Sequence, residues 1–384
     1  MVNTIYIKEM KILSISTDKK IFDENSPVRQ RMFDYGTVTD RLNIIVLNRK
    51  NKGSEAKKPF RISGKVFIYP TNSFSKFHYF FDAKRMAQQL KGLDLVTAQD
   101  PYETGLIAWR IAKKLKIKLE FQIHTDIFST HFIKHSLVNR VRSLVAKFLL
   151  AKADHLRVVS KRIKLSLSER LREKTTILPI FTSPTFIQVF EPSFDLKEKY
   201  PQFKFIMVMM SRLEKEKNIS LVIKAMERVA ETFPKTGLII VGDGSLQKPL
   251  RRQARRLGLE ENIIFKKWTD DPISYYKTAD LFISASDYEG YGLSLAEAIL
   301  SHCPILTTKV GIVGEVLSSN NSFLCEVGDE ECFFQSLINA QQHPELLREF
   351  QQKAYVDYLK KMPQTEGEVL EKLKQAWFET INEN

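Results

Sequence analysis

The chain has 384 residues, two to three times the ~150 of a typical domain. Hydrophobic residues make up 43% and charged residues 27%, near globular averages, which excludes disordered, collagen-like and coiled-coil proteins. The net charge of +14 is concentrated: residues 1–190 carry 35 Lys and Arg against 16 Asp and Glu, residues 191–384 carry 24 against 29. A basic half suits a polyanionic neighbour, phosphate-rich lipid or nucleic acid, or is a lysine-rich solubility bias. Three cysteines (Cys303, Cys325, Cys332) make no disulfide framework and, with the histidines, no zinc pattern. The longest apolar run, Phe205 to Met210, is far too short to span a bilayer. Residues 1–9 hold no apolar signal-peptide core. These features predict a soluble, cytoplasmic protein of two domains.

In chain order, short β-branched runs at Lys11–Thr17, Leu42–Leu47, Val66–Tyr69, Leu93–Ala98, Ile117–His124 and His155–Ser160 predict buried parallel strands. Helical patterns lie between them at Pro27–Tyr35, Ser75–Leu90, Glu103–Leu115 and Ile133–Ala151. Phe181 to Phe203, with Pro184, Pro192 and Pro201, reads as a linker. The alternation then restarts. Strands are predicted at Phe205–Met210, Gly237–Val241, Asn262–Phe265, Leu281–Ser284, Pro304–Leu306 and Ser322–Cys325. Helices are predicted at Asn218–Thr232, Leu246–Leu257, Ile273–Thr278, Gly292–Leu300, Glu330–Ala340 and, last, Glu366–Ile381. The expectation is two doubly wound, Rossmann-like domains with a ligand in the cleft between them.

Ser284 to Ala298 reads SASDYEGYGLSLAEA, a strand end, a glycine-bearing turn and a helix start. Its free N–H groups form an anion site, and Glu289 and Glu297 suit the hydroxyls of a sugar or ribose. Ser211-Arg212-Leu213-Glu214-Lys215-Glu216-Lys217-Asn218 puts basic residues ahead of a helix, against the macrodipole unless an anion binds there. Ser26-Pro27-Val28-Arg29-Gln30-Arg31 repeats that pattern after a capping serine. His124 closes a strand, where a histidine is either a structural hydrogen-bonder or a cleft residue. No Asp-x-Asp, P-loop or Gly-x-Gly-x-x-Gly occurs, so no metal site and no dinucleotide site is expected.

These residues resemble a known family. Glu289 to Glu297 matches the Glu-x7-Glu motif of retaining GT-B glycosyltransferases of family four. Ser211-Arg212-Leu213 with Lys217-Asn218, Val241-Gly242-Asp243-Gly244, Ala279 to Ser284 and Gly311 with Gly314-Glu315 follow the family's order. The resemblance implies a GT-B fold: residues 1–183 plus 364–384 form the acceptor-side domain, 184–363 the nucleotide-sugar domain. The last helix would cross back to the first domain. It implies a retaining, metal-independent glycosyltransferase with a UDP- or GDP-sugar as co-substrate and no other cofactor. Arg212 and Lys217 would hold the diphosphate, helped by the backbone from Gly290 through Tyr291 and Gly292 to Leu293. Glu297 would bind the ribose, Glu289 the transferred sugar and His124 that sugar from the opposite domain. Trp268 would lie at the base, and Arg29 would replace the glycine-rich turn missing from the glycine-free segment 18–25.

A glycan or lipid-linked acceptor follows, for surface polysaccharide or lipid-linked glycan assembly. The alternatives are a sugar-nucleotide epimerase, a sugar-phosphate synthase, or a catalytically idle nucleic-acid-binding protein. The last lacks any helix-turn-helix or aromatic ribonucleoprotein motif, so no nucleic-acid partner is expected. Ile133, Leu137, Val141, Leu144, Val145 and Phe148 recur at helical spacing among Lys134, Arg140, Arg142, Lys147 and Lys152. The stripe itself favours a helix packed on a sheet, while the charge asymmetry favours peripheral contact with anionic membrane.

Overall fold

The computed structural model describes residues 10–50 and 56–382, so the reading of the first nine residues falls outside it. The first sheet has eight strands: β1 (Lys11–Ser16), β2 (Arg41–Val46), β3 (Phe60–Arg61), β4 (Val66–Pro70), β5 (Leu95–Ala98), β6 (Lys118–Ile123), β7 (His155–Val158) and β8 (Thr175–Ile177). Their order is β3-β4-β2-β1-β5-β6-β7-β8. Every pair is parallel except β3 with β4. The second sheet is wholly parallel, in the order β11-β10-β9-β12-β13-β14. Its strands are β9 (Phe205–Met210), β10 (Thr236–Val241), β11 (Ile263–Lys266), β12 (Leu281–Ser284), β13 (Ile305–Thr308) and β14 (Phe323–Cys325). The strands are buried on both faces, as their continuous apolar runs require.

The terminal helix, Glu366–Asn382, does return to the first sheet. Val369, Leu373, Trp377 and Ile381 pack with Ile12, Ile44 and Val66, and the Trp377 ring meets Tyr35 edge-on at 6.1 Å. Trp377 is one of the largest fully buried side chains, which fixes that helix in place.

Several elements differ from the sequence expectation, each for a local reason. The expected helix Ile133–Ala151 is two, Thr130–His135 and Leu137–Leu150, because Ser136 is extended and its hydroxyl accepts from Asn139 N at 3.1 Å. A side chain that caps the second helix cannot continue the first. The expected linker holds two short helices, Pro184–Val189 and Leu196–Lys199, capped by Ser183 and Asp195. Strands β3 and β8 and the 18-residue helix Pro344–Lys361 had no expected counterpart. In that helix Leu347, Phe350, Ala354 and Tyr358 are buried among many charges, which dilute the apolar period. The glycine-free segment 18–25 forms a 3-10 turn, Lys19–Phe22, with Asp18 accepting from Lys20 N at 3.0 Å. Cys325 and Cys332 are joined in a disulfide, whereas the sequence reading expected no disulfide framework; Cys303 is free and buried.

Leu137–Leu150 is the clearest departure in packing. It buries Asn139, Ser143, Ala146, Leu149 and Leu150 and turns outward Leu137 (75% exposed), Val141 (59%), Leu144 (69%) and Phe148 (51%). Four of the six stripe residues therefore face solvent, and the sheet-packed reading fails for them, while Ile133 and Val145 do pack against the core. Small and polar residues let this helix approach its neighbours closely. Phe148 still touches Trp109 edge-on at 5.5 Å.

Candidate functional site

The loop after β12 is built by contacts a side chain would forbid. A Cβ on Gly290 would lie 1.8 Å from the carbonyl oxygen of His124, at the end of β6. Ser160, just beyond β7, donates its hydroxyl to Gly290 O at 2.7 Å. The second-domain loop is thus docked on two strand ends of the first. Gly292, at φ +87°, turns the chain into the helix Leu293–Leu300, whose opening N–H groups have no intrahelical acceptor. Those donors and the positive end of the helix face the cleft, which makes an anion site.

Glu289 lies on that loop. Its carboxylate pairs with Lys217 and accepts from the Ser286 hydroxyl at 2.9 Å. Both partners are largely buried, with Lys217 at 15% and Glu289 at 21% side-chain exposure. Arg212 is different: its guanidinium is mostly exposed and bonds Glu216 at 2.9 Å. Asn218 stands at the start of the helix Ile219–Thr232 but does not cap it. It adopts a left-handed conformation, and its amide donates to Asp287 at 3.0 Å, tying this loop to the Glu289 loop.

Glu297 sits one turn into its helix and accepts from the Tyr276 hydroxyl at 3.2 Å. Burial, partly offset by that hydrogen bond, pushes its carboxyl up to about 7. Since the ordinary value is 4.5, the folded state holds a proton there that the unfolded state loses. The stability contribution is therefore complete below about pH 4.5 and falls as pH rises to about 7. Glu297→Gln is expected to raise stability above pH 7 by about 3 kcal/mol and to change little at pH 4, read from melting curves across pH. Parallel curves for the two proteins would refute the shift.

On the first domain, His124 presents its ring to the cleft and meets Gln122 Oε1 at 3.2 Å. The surrounding walls, then Arg157 and Arg31, push the imidazole below its ordinary 6.5, although the residue keeps substantial solvent exposure. It is neutral at pH 7. Behind it lies a cavity of about 640 Å³ under the first sheet and the terminal helix. The register explains its polar wall. Ser14 stands beside Thr97 on β1 and β5, and Gln122 beside Arg157 on β6 and β7, all four on the wall, while Glu120 and His155 continue the row behind it. Fully buried Glu120 accepts from Thr97 at 2.7 Å and from Trp377 Nε1 at 3.2 Å, and lies 3.6 Å from Arg157. Burial alone would raise its carboxyl, but Arg157 and the His155 hydrogen bond hold it at about 2.

The structure thus gathers Glu289, Lys217, Gly290, Gly292 and Leu293 on one loop cluster beside His124. Tyr291 contributes only its backbone, because its ring is buried and its hydroxyl lies 3.3 Å from that of Tyr358. Trp268 is half-exposed, and its backbone N–H donates to the Asp243 carboxylate at 3.1 Å. Arg29 does not reach the cleft: it pairs with Glu24 at 3.5 Å and covers the Phe60 ring. Arg31, two residues on, lines the cavity instead. Sequence reasoning also missed Asp287 and the polar row. The signal for the row was present as hydrophilic residues at alternate positions of otherwise apolar strands, as in Lys118-Leu119-Glu120-Phe121-Gln122-Ile123. Among the described residues no three His, Cys, Asp or Glu side chains converge as metal ligands, and no helix is long and apolar enough to cross a membrane.

Comparison with known proteins meets this geometry. The profile of the Glycosyl transferases group 1 family matches residues 193–357, and that of Glycosyltransferase Family 4 matches residues 41–184. The chain thus carries a Glycosyltransferase Family 4 domain followed by a Glycosyl transferases group 1 domain. The alpha-monoglucosyldiacylglycerol synthase of Streptococcus pneumoniae is 28% identical over 239 residues, 59% of this chain and 54% of that protein. The chain thus matches about half the length of that relative. The enzyme of the same name from Acholeplasma laidlawii is 24% identical over 318 residues, 78% of this chain and 79% of its own. Anabaena HepE, solved in complex with UDP and glucose, superimposes with a TM-score of 0.73 at 18% identity, over 96% of this chain and 99% of that one. The fold is GT-B, two parallel-sheet α/β domains.

Proposed function

We propose that this glycosyltransferase moves a sugar from a UDP- or GDP-sugar to a glycan or lipid-linked acceptor, with retention of configuration and without a metal. The observation that carries the reading is the meeting of Glu289, Lys217 and an open helix N-terminus beside His124. In this reading residues 1–183 and 364–384 form the acceptor side and 184–363 the donor side.

Breaking the bond from sugar to phosphate leaves negative charge on the diphosphate and positive charge on the sugar. Lys217, Arg212 and the N–H groups of Leu293 and Ser294 offset the first charge. Arg212, exposed and held only by Glu216, can swing to the diphosphate at little cost. Glu289 orients the sugar's hydroxyls, and Glu297 binds the ribose. Neutral His124 donates or accepts a hydrogen bond at the sugar from the other domain. The acceptor attacks from the leaving-group face, and the departing phosphate oxygen takes its proton. The similarity to diacylglycerol-glucoside synthases supports a lipid-linked acceptor.

Membrane contact at the inner face of the cell membrane belongs to the same reading. Leu137, Val141, Leu144 and Phe148 project from one side of the first domain. Phe74, Phe77 and Phe81 project beside the helix Tyr79–Gln89, which flanks Glu103–Leu115. Lys134, Arg140, Lys147 and Lys152 surround the first group and are exposed. Apolar residues in a basic rim suit an anionic bilayer, where each nearby cation contributes about 1 kcal/mol. Not every basic residue in the region takes part: Arg157 is buried and Lys164 donates to Thr175 O.

The test combines the parts. Nucleoside diphosphate release from UDP- and GDP-sugars is measured with EDTA present, on anionic and on neutral glycolipid vesicles, while sedimentation reports binding. We expect salt-sensitive binding to the anionic vesicles alone, turnover on them, and no loss with EDTA. Equal binding to both vesicle types would remove the membrane part, and loss of turnover with EDTA would remove the metal-free part.

A further inference from the structure

The cavity under the first sheet contains groups that its own walls leave unsatisfied. Arg157 is 5% exposed and lines the cavity, yet its Nη1 has no hydrogen-bond partner. Its other arm faces Glu120 at 3.6 Å, so its charge is already balanced. Across the cavity stands Asp34, 9% exposed. Its Oδ1 accepts from Gln30 at 2.9 Å, and its Oδ2 has no donor from the protein. The Glu366 carboxyl of the terminal helix lies against it, and burial and that neighbouring carboxyl raise Glu366 above its ordinary value. A surplus donor and a surplus acceptor therefore line one space, and leaving either desolvated and unpaired is costly.

Three ligand classes fit a 640 Å³ cavity by size alone. Charge separates them. With Arg157 spent on Glu120, Arg31 is the remaining arginine of the wall, against Asp18, Asp34, Asp100 and Glu366. Such a wall repels a phosphate or a dicarboxylate. A purely apolar group would leave Arg157 Nη1 and Asp34 unpaired. Hydroxyl groups meet both needs, because each can accept from the guanidinium and donate to a carboxylate. The half-buried Tyr35 ring, packed edge-on against Trp377, also lines the space and offers apolar surface to the C–H face of a pyranose.

We propose that this cavity receives the acceptor through a neutral, polyhydroxylated head group, a sugar already in place, and not through a phosphate or carboxylate. The inference rests on the transferase reading above. It implies that the enzyme extends an existing glycoside, so that an earlier transfer must have supplied its acceptor. His124 lines the same cavity, and its carbonyl touches Gly290, so the head group lies next to the donor loop.

The test uses the whole protein in the presence of UDP, with calorimetry or ligand-detected NMR. The probes are neutral methyl glucoside, methyl galactoside and glucosylglycerol, against glycerol 3-phosphate and L-malate. We expect saturable binding of at least one neutral glycoside and none of either anion. Asp34→Asn with Glu366→Gln should weaken the glycoside at least 10-fold, with melting curves confirming the fold. Arg157→Lys, which keeps the charge but not the fork, should do the same. Tighter binding of either anion, binding of no probe, or unchanged glycoside affinity in both variants would each overturn the proposal. Nucleotide-sugar binding is measured on the same samples. Its absence would sink the transferase reading itself, whereas its presence without glycoside binding would sink the head-group inference alone.

Discussion

Glu289→Gln is expected to lower sugar transfer by about 10²–10³-fold while the protein stays folded. The side chain lies on a docked loop outside the hydrophobic clusters, held by Lys217 and Ser286, so its loss opens no cavity. Two effects should separate. Without nucleotide, the variant leaves Lys217 short of its carboxylate, costing about 1–3 kcal/mol. A bound diphosphate supplies a new partner for Lys217, so the melting difference should shrink when nucleotide is added. Transfer should not recover, because the sugar has lost its carboxylate. Melting curves with and without UDP, together with kcat/KM for transfer, decide it. A folded variant with near-normal kcat/KM would return Glu289 to a purely structural role.

Gly290→Ala should be as damaging for a different reason. The added methyl would sit 1.8 Å from the His124 carbonyl oxygen and 2.5 Å from its carbon, both backbone atoms. Neither can rotate away, so the loop must retreat and break the Ser160 bond. Overpacking of this kind costs about 1–3 kcal/mol. The larger loss is in alignment, since a shift near 1 Å at reacting groups costs about 10²-fold in rate. Gly64→Ala is the control, because nothing lies within 4 Å of its added carbon. If Gly290→Ala turned over and melted like Gly64→Ala, the two domains would not be joined through this contact.

The two predictions concern neighbouring residues of unequal legibility. Glu289 could be read from the chain, since a polar turn with two glycines between a strand and a helix announces an open helix end. Gly290 could be read only as a flexible residue; that it faces the His124 carbonyl depends on a contact across more than 160 positions. His124 was legible as the last residue of a strand, and the alternation of strands and helices carried most of both sheets. The cavity was not legible. Ser14, Thr97, Gln122 and Arg157 are polar residues of four separate strands, and only the register of those strands brings them to one wall. Arg29 and Arg31 differ by two helical positions, roughly half a turn of the helix face, which sequence cannot orient. The helix Leu137–Leu150 misled for a physical reason. Periodicity locates an apolar face but not what that face meets, and here most of that face, from Leu137 through Val141 and Leu144 to Phe148, is left exposed.

The Trp377 bond to Glu120 joins residues 257 positions apart, and it sets an order of events during synthesis. All eight strands of the first sheet have been made once Ile177 is added, yet a buried carboxylate among them still lacks one donor. The second domain must be translated before that donor exists, a delay of roughly 10–40 s at ~5–20 residues per second. During that interval the apolar surface around Ile12, Ile44 and Val66 has no terminal helix over it. The first sheet therefore has all its strands well before it has its full core, which closes only when residues 366–382 are added.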